Sequence, residues 1–567
     1  MFKSNFCLIS LVFFSVLLSQ VDYNFSYELK YGMGSEIKKS PISGAVTSID
    51  DSYGYNEHLL NVNLFYEDVY LFGVFEWSDP PVFGEQDSPF FGFNRLFLEY
   101  ETDNLYAKIG NLEALYGRGL ALGLSYDEVI DFDNTVNGAE FRYSVSDDVT
   151  LFTLNGYSNF EYRTSTELRQ SDQNFGITVN MAGIEYSNET LGDFQVFGLR
   201  ENQEIYDKTI NSIDDFGKNY FAWDLGDRLF QADDDGTYAI EFYSNGDNLD
   251  HYLFDFNHNF LFQDIEVYYE LVSFRYEKLA SFNKYETGLN KYLSIYKEFG
   301  SYGVTYEYKD YYSPMRLKTI SSPPTVFKET NSSLLSRTQH KINFLNESGH
   351  QIEVNRKFSN SFNLLFNLSL SSAVSEYEAL SFIHPSKDQK MPFSNYFSEN
   401  FDSPENLKFK PYRQVFLQAD GLIFSKRLYY KVGIDFSHEI SVKNIKSFTL
   451  PTHFAVDFFN KRSIVLYYEY QSLQELKNVL INTETHYIST TFNYLNWHLS
   501  LFCDMESKDL QDYNFWLGTN LAWKFNSSSM VSIFYGSQKG GLICANGVCA
   551  QQPDFDNGVK LSLRTNF

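Results

Sequence analysis

Long stretches of this chain alternate strictly between apolar and polar residues. The segment 427–437 is a clear case, since every second residue in it is large and apolar: Leu428, Tyr430, Val432, Ile434 and Phe436. Segments 264–272 and 361–371 repeat the pattern. Because successive side chains of a strand point to opposite faces, each segment predicts a β-strand with one apolar wall and one mostly polar wall.

A water-soluble sandwich shows the same alternation, but three further features favour a transmembrane barrel. Many of the alternating segments run to about ten residues, the length that a tilted strand needs to cross a bilayer. Aromatic residues make up 18% of the chain, with 43 Tyr and 55 Phe, as the girdles of such barrels require. The connections alternate between short and long. The sequence therefore predicts an all-β fold, an antiparallel up-and-down barrel with short periplasmic turns and long extracellular loops.

The spacing of these connections also predicts the number of strands. The long connections are expected over 32–57, 78–92, 112–135, 159–175, 313–349, 374–411 and 538–557. Counts made from the two ends differ by one strand, which places a hidden strand in 202–236. Since both ends of such a barrel are periplasmic, the number must be even, and we predict about 26 strands within a range of about 22 to 26.

The two ends of the chain indicate export to an outer membrane. Residues 1–20 have a Lys3 n-region and an uncharged apolar run from Phe6 to Leu18, which predicts a signal peptide cleaved near Ser19 or Gln20. The barrel then occupies 21–567. The last strand ends at Phe567, which resembles the signal read by the barrel-assembly machinery. We therefore expect the outer membrane of a Gram-negative-type bacterium, with its lipid and that machinery as partners.

Charge excludes one class of ligand and leaves one weak metal candidate. The net charge is −28, so nucleic acid is not expected, because phosphate binding needs basic stripes. Asp233, Asp234 and Asp235 form a weak Ca²⁺ candidate, but they lack the alternating ligands and distal Glu of a calcium loop. A solvated acidic loop is the simpler interpretation. No cofactor is otherwise expected.

Charged residues on the polar strand faces are predicted to line the lumen. Exposing Lys or Arg to lipid at mid-bilayer costs about 2–4 kcal/mol, so such residues turn inward. The candidates are Glu266, Glu270, Glu307, Glu353, Lys431, Asp435 and Glu469. These charges predict a wet interior, and they leave open whether it is clear or plugged by loops.

The common catalytic patterns are missing from the sequence. His438-Glu439 begins a metalloprotease-like motif, but position 442 is Val. No nucleophile elbow and no phosphate-binding loop occur. We therefore expect no enzyme.

Two cysteines lie close together in a glycine-rich loop. Cys544 and Cys549 follow Gly540-Gly541, with no further metal ligands evident nearby. In an exported chain such a pair more often forms a disulfide than a metal site.

Three segments together resemble a known family. They are Lys108-Ile109-Gly110-Asn111 leading to Tyr116-Gly117-Arg118-Gly119-Leu120, then Pro323-Pro324-Thr325 continuing through Leu334-Leu335-Ser336-Arg337 to Gly349-His350-Gln351-Ile352-Glu353, and finally the loop from Gly540 to Cys549. They resemble an uncharacterised family of outer-membrane barrel proteins, known as a domain of unknown function. The resemblance implies the barrel and the paired cysteines, and it brings no substrate.

The second of these segments is a candidate constriction. Pro323 and Pro324 stiffen the chain, and a connection of this length is unusual unless it is functional or disordered. We weigh an inward-folding constriction that includes Arg337 against an ordinary extracellular loop. Gly117 and Gly119 around Arg118 predict a backbone bend more strongly than a ligand site.

The sequence supports three functions in decreasing order. The first is a channel or transporter for a small polar solute. The alternative is a non-conducting surface-binding or assembly component that acts through its long loops, and the least expected is a hydrolase at the rim. The cargo, the oligomeric state and any accessory lipoprotein stay undetermined at this stage.

Overall fold

The computed structural model describes most of the chain. The described residues are 21–39, 46–82, 89–127, 132–160, 175–205, 230–232, 238–240, 248–277, 285–312, 319–320, 323–328, 332–338, 340, 346–359, 361–373, 390–398, 401–407, 409–424, 426–440, 444–458, 461–476, 479–509, 513–545, 548–552 and 555–567.

Twenty-four strands of these residues form one antiparallel sheet. They are β1 Asp22–Lys39, β2 Val46–Tyr66, β3 Val69–Ser78, β4 Phe90–Glu101, β5 Leu105–Leu112, β6 Val136–Ser146, β7 Val149–Phe160, β8 Phe175–Asn188, β9 Gly192–Ile205, β10 Asn248–Phe262, β11 Ile265–Glu277, β12 Tyr285–Phe299, β13 Tyr302–Tyr312, β14 Asn346–Ser359, β15 Phe362–Ser372, β16 Tyr412–Ile423, β17 Leu428–Ile440, β18 Asn444–Phe458, β19 Arg462–Leu476, β20 Leu480–Tyr494, β21 Trp497–Lys508, β22 Asn514–Lys524, β23 Ser529–Gln538 and β24 Phe555–Asn566.

Each strand pairs with the next one along the chain, and the last pairs with the first. Ser26–Met33 of β1 lie opposite Asn566–Val559 of β24, and the backbone of Phe567 bonds to that of Phe25. This pairing closes the sheet into an up-and-down barrel, so no edge strand is left over. The predicted fold class is thus confirmed.

The barrel has 24 strands, within the predicted range but two fewer than the 26 we expected. The expected strand within 202–236 is not part of the wall, because β9 pairs directly with β10 from Asp193↔Asn259 to Glu204↔Asn248. A strand inserted there would have separated them. The first connection is also shorter than the predicted 32–57, since β1 runs to Lys39 and β2 begins at Val46.

Helical structure in the described residues is limited to three short pieces within the long connections. These are α1 Ser333–Arg337, α2 Pro404–Leu407 and a 3₁₀ turn at Phe393–Phe397. Among the residues that the structure describes, no helix has both the length and the apolar character to span a membrane. Four small two-stranded pairs also lie in these connections, at Ala114–Tyr116 with Leu122–Leu124, Tyr126–Asp127 with Phe132–Asp133, Phe230–Ala232 with Tyr238–Ile240, and Gly541–Ala545 with Val548–Gln552.

The two faces of the wall differ as the alternation predicts. On β22 the outward residues Phe515, Leu517 and Leu521 are exposed, as lipid-facing side chains of a barrel must be. At the short-turn end the rings of Trp497 and Trp523 stack with their centroids 5.2 Å apart, as in an aromatic girdle. The inward faces carry buried polar groups instead.

The wall parts at two places, each marked by a glycine. Between β4 and β5 the pairing stops at Phe97↔Gly110, and between β22 and β23 it stops at Gly518↔Gly536. Gly110 has φ +117° and Gly536 has φ +130°, a backbone region that other residues avoid. A Cβ on either would lie 2.2 Å from a carbonyl oxygen of the neighbouring strand. Glycine at these positions therefore lets one strand turn away from the next.

Candidate functional site

The connection between β13 and β14 reaches opposite walls of the barrel. We call its described residues, 319–320, 323–328, 332–338 and 340, the crossing loop. Near its start, Thr319 donates from its backbone N–H and its hydroxyl to Glu201 of β9, at 3.1 and 2.5 Å. Near its end, Arg337 forms an ion pair with Asp504 of β21, at 2.6 Å. Since β9 and β21 are twelve strands apart in a ring of 24, this segment spans the lumen.

The proline-containing part of the crossing loop rests on β13. Lys309 donates to the carbonyl of Thr325 and Tyr311 donates to the carbonyl of Pro324, both at 2.7 Å. Pro323 is buried beside them. The structure thus places Pro323, Pro324 and, further on, Arg337 inside the barrel. Proline carbonyls and stiff backbone suit a segment held by side chains from the wall, because no ladder partner is needed.

Two side chains of β19 hold both ends of helix α1. The carboxylate of Glu469 accepts from the backbone N–H groups of Ser333 and Leu334, at 2.8 and 2.6 Å. Gln471 donates to the Leu334 carbonyl at 3.1 Å and to the Thr338 hydroxyl at 3.0 Å. A helix end leaves such groups without intrahelical partners, and a carboxylate is favoured at the N-terminus. The wall therefore completes a helix that is too short to be stable alone.

His340 joins the crossing loop to three strands. Its Nε2 lies 3.1 Å from Glu347 and 3.2 Å from the Ser371 hydroxyl, and its Nδ1 lies 3.1 Å from Glu439. Its ring stacks on Tyr412 with the centroids 4.2 Å apart. Although burial opposes the charged form, the two carboxylates raise the pKa of His340 to about 9. At neutral pH the ring is therefore an imidazolium that binds both carboxylates.

This ion pairing gives the crossing loop a pH dependence. Because the pKa of His340 is raised above its ordinary value of 6.5, its stabilising effect is complete below that pH and is lost as pH rises through about 9. We expect the fraction of released loop to rise by at least about tenfold between about pH 6.5 and about pH 9.5. The measurement is the opening frequency in a planar bilayer as a function of pH. A His340→Gln variant should show the high-pH behaviour throughout, and an unchanged profile in that variant would contradict the assignment.

A second connection, between β5 and β6, also folds inward. Its strands Ala114–Tyr116 and Leu122–Leu124 form what we call the inner hairpin. Tyr116 and Leu122 are buried in a large cluster that includes inward side chains such as Phe152 and Phe197. The inner hairpin meets the crossing loop where the Gly123 N–H donates to the carbonyl of Thr319 at 2.7 Å. The two insertions therefore form one continuous structure inside the barrel.

A single carboxylate holds the turn of the inner hairpin. Glu270 of β11 accepts from the N–H groups of Arg118 and Leu120, at 2.6 and 3.2 Å. Gly117 and Gly119 have φ +60° and +80°, which aims these donors at one point. A Cβ on Gly117 would lie 2.7 Å from the Glu270 side chain. The glycines around Arg118 therefore build a bend around a protein carboxylate.

The remaining predicted lumen residues also lie on the inward face. Glu353 forms an ion pair with Lys328 of the crossing loop at 2.8 Å, and Glu307 accepts from the Tyr292 hydroxyl. Asp435 is buried and accepts from Gln414 at 2.6 Å, and Lys431 shares its strand face. Glu266 shares the face of Glu270 nearer the short-turn end and is exposed.

Several residues of this network were not foreseen. Glu201, Glu347, Glu439 and Asp504 follow the same alternation as the predicted acids, so that signal could have found them. His340 lies in a connection with no periodicity, and nothing in its neighbourhood marked it. The calcium candidates Asp233, Asp234 and Asp235 lie outside the described residues. Among the described residues, no group of three or more His, Cys, Asp or Glu is arranged to hold a metal ion.

The connection between β15 and β16 lies on the other side of the wall. We call its residues 390–398, 401–407 and 409–410 the rim segment. Lys390 donates to Asp310 at 2.8 Å, and Tyr396 donates to Ser372 at 2.7 Å. Asp310 and Ser372 alternate with the inward Lys309 and Ser371, so they face outward. The rim segment therefore covers the outer surface near the long-loop end and leaves the lumen free.

Cys544 and Cys549 lie directly opposite each other in the hairpin of Gly541–Ala545 and Val548–Gln552. Cross-strand partners have Cα atoms about 4.5–5.5 Å apart, within the range a disulfide needs. Their side chains lie outside the described part, so the bond stays a prediction. Without reduction, thiol alkylation should modify only Cys503 of the mature chain, and after reduction all three cysteines. Mass spectrometry of the alkylated protein measures this, and three modified cysteines before reduction would contradict the disulfide.

These observations define the class of protein. A closed antiparallel barrel with an apolar outer wall, an aromatic girdle and a polar interior is an outer-membrane barrel. The chain belongs to the Family of unknown function (DUF6029), whose model matches residues 5–567.

Solved structures of large barrels are similar to this one at low sequence identity. The ferric citrate transporter FecA in the unliganded form is 9% identical, with a TM-score of 0.44 over 96% of this chain and 79% of that one. A ferric enterobactin receptor, PfeA from Pseudomonas aeruginosa, is 6% identical, with a TM-score of 0.46 over 96% and 80%. The P pilus usher PapC is 10% identical, with a TM-score of 0.39 over 96% and 99%. None of the curated proteins compared with the chain matches it.

Proposed function

We propose that this barrel is a gated transporter or channel for a small polar solute, closed at rest by the inner hairpin and the crossing loop. The observation that carries the proposal is the attachment of one loop to walls twelve strands apart. A barrel of 24 strands is too wide for wall side chains to fill, so its permeability depends on what lies inside it.

The contacts of the crossing loop suit a gate better than a permanent filling. Its ends are held by ion pairs and hydrogen bonds to Glu201, Glu469 and Asp504. Polar contacts of this kind exchange with water at little net cost when the loop moves. An apolar core would resist opening, because exposing it to water is expensive.

Solute uptake into vesicles tests the proposal. The mature protein, reconstituted in liposomes, should admit small polar solutes in a swelling assay and show brief conductance steps in a planar bilayer. The inward acids predict that the reversal potential in a salt gradient favours cations. A folded, heat-modifiable barrel that admits no solute and never conducts, at any pH between about 6 and 10, would overturn the proposal.

A second candidate function is binding of a partner at the cell surface, without passage. The observation that favours it is the rim segment, where Phe393 and Phe397 are 55% and 56% exposed. A silent barrel whose partner binding is lost in a Phe393→Ser, Phe397→Ser variant would favour this function.

The arrangement of Ser371, His340 and Glu439 bears on the least expected function, a hydrolase. The Nε2 of His340 lies near the Ser371 hydroxyl and its Nδ1 lies near Glu439, as in a catalytic triad. A general base must be neutral, whereas the second carboxylate, Glu347, keeps this ring protonated at neutral pH. The geometry therefore supports a structural role for His340 in holding the loop.

Export and assembly complete the proposal. Cleavage near Ser19 or Gln20 is supported by the position of β1, which begins at Asp22. N-terminal sequencing of the mature protein tests it. Phe567 is 72% exposed at the end of β24, where the assembly machinery can reach it. Deletion of Phe567 should lower the amount of folded barrel in the membrane.

A further inference from the structure

The parting of β22 from β23 opens an apolar groove in the outer wall. Above the pair Gly518↔Gly536, the β22 residues Asn514–Leu517 have no register partner in β23 within the described part of the chain. A cavity of about 590 Å³ lies at this point. Its lining includes Leu501, Cys503, Leu517 and Tyr535 from three strands, all on the outward face.

The floor of the groove is aromatic. Phe502 and Phe534 stack over the inner side of Gly518, with their ring centroids 5.4 Å apart. A Cβ on Gly518 would lie 2.3 Å from the Phe502 ring. The glycine therefore keeps this part of the wall thin, so the groove is deep enough to hold a chain and not merely to roughen the surface.

The groove is continuous with the lipid-facing surface of the barrel. Leu517 and Tyr535 are 60% and 63% exposed on the outward face, in the middle of the apolar wall. Hydrocarbon is the solvent at this surface, so what enters the groove is an acyl chain. Its volume also falls in the range of ordinary ligand pockets, about 300–1,000 Å³.

Positive charge stands at the end of the groove nearer the long loops. Lys539 pairs with Glu506 and lies over the ring of Trp516, with 5.3 Å between Nζ and the ring centroid. Lys508 lies 3.6 Å from the same carboxylate. The neighbouring Asp504 is paired with Arg337 of the crossing loop. Two ammonium groups therefore share one carboxylate, which leaves a net positive site.

We propose that the groove between β22 and β23 binds a single-chain anionic amphiphile of the fatty-acid type, its chain against Gly518 and its carboxylate at Lys539 and Lys508. The charge of the head group distinguishes this ligand from an uncharged lipid, and the single groove distinguishes it from a two-chain phospholipid. The proposal is independent of the proposed passage through the lumen, because it concerns the outer wall.

Quenching of Trp516 fluorescence tests the proposal directly. The full mature protein is placed in vesicles of a zwitterionic phospholipid, and a long-chain fatty acid brominated along its chain is added. The Trp516 signal is the difference between the protein and its Trp516→Phe variant. We expect saturable quenching, about tenfold weaker binding in Lys539→Gln, and weaker quenching by the brominated alcohol of the same length.

A variant that fills the groove provides the second arm. Cys503→Phe should abolish the saturable quenching, whereas Leu499→Phe, on the same strand face but outside the groove lining, should preserve it. Heat-modifiability on a gel shows that both variants are folded. Equal quenching by a brominated two-chain phospholipid, or saturable quenching that survives in both Cys503→Phe and Lys539→Gln, would overturn the proposal. These outcomes do not depend on conductance or solute uptake.

Discussion

A barrel in which residues 313–345 are replaced by a short Gly/Asn turn is expected to conduct ions continuously. The replacement is geometrically simple, because Tyr312 and Asn346 already lie opposite each other on β13 and β14. Without the crossing loop, nothing bridges β9 to β21, and the inner hairpin loses its contact with Thr319. We expect steps larger than those of porins with about 16–18 strands, since the lumen grows with strand number. Single-channel recording in a planar bilayer measures this.

The rim segment supplies the matched control for that experiment. Residues 373–411 can be shortened in the same way, because Ser371 and Tyr412 also lie opposite each other. This variant removes a loop of similar length from the outer surface, so its conductance should equal that of the unaltered barrel. A loop-shortened 313–345 variant that folds but stays as quiet as the control would show that the crossing loop does not close the lumen.

Alternation in the sequence was enough to predict the wall, because it reports directly on a two-sided strand. The segment 427–437 became β17 with Phe436 facing out and Asp435 facing in. The strand number was harder to obtain. Whether 202–236 adds a strand depends on the pairing of β9 with β10, which is a contact between segments far apart in sequence. Period-2 patterning carries no record of the neighbouring strand.

The two long insertions show what the sequence could not distinguish. Residues 313–345 cross the lumen, whereas the rim segment covers the outside, although both connections are long and both contain prolines. The difference lies in partners such as Glu469 and Asp504, which are separated from the crossing loop by more than a hundred residues. No local rule links Ser333 to Glu469. The inward acids could be predicted as a class, but their individual partners could not.

Loss of Glu270 is the second change for which we expect a large effect. In Glu270→Ala, the N–H groups of Arg118 and Leu120 and the hydroxyl of Tyr268 lose a buried acceptor together. Hydrogen bonds to a charged group contribute about 1.5–3 kcal/mol each, and a buried donor left without a partner adds a further cost. We therefore expect the inner hairpin to leave its place while the barrel wall stays folded.

Trypsin reports on this release because Arg118 is at the turn of the inner hairpin. In the unaltered barrel the bond after Arg118 lies inside the lumen, held by Glu270 and by Gln195, which accepts from Gly117 at 3.0 Å. Glu270→Ala should be cleaved there, and mass spectrometry should find a new fragment that begins at Gly119. Glu266→Ala is the control, since Glu266 lies on the same strand face and is exposed. If Glu270→Ala resists trypsin as well as Glu266→Ala does, the hairpin is held by its apolar contacts around Tyr116 and not by the carboxylate.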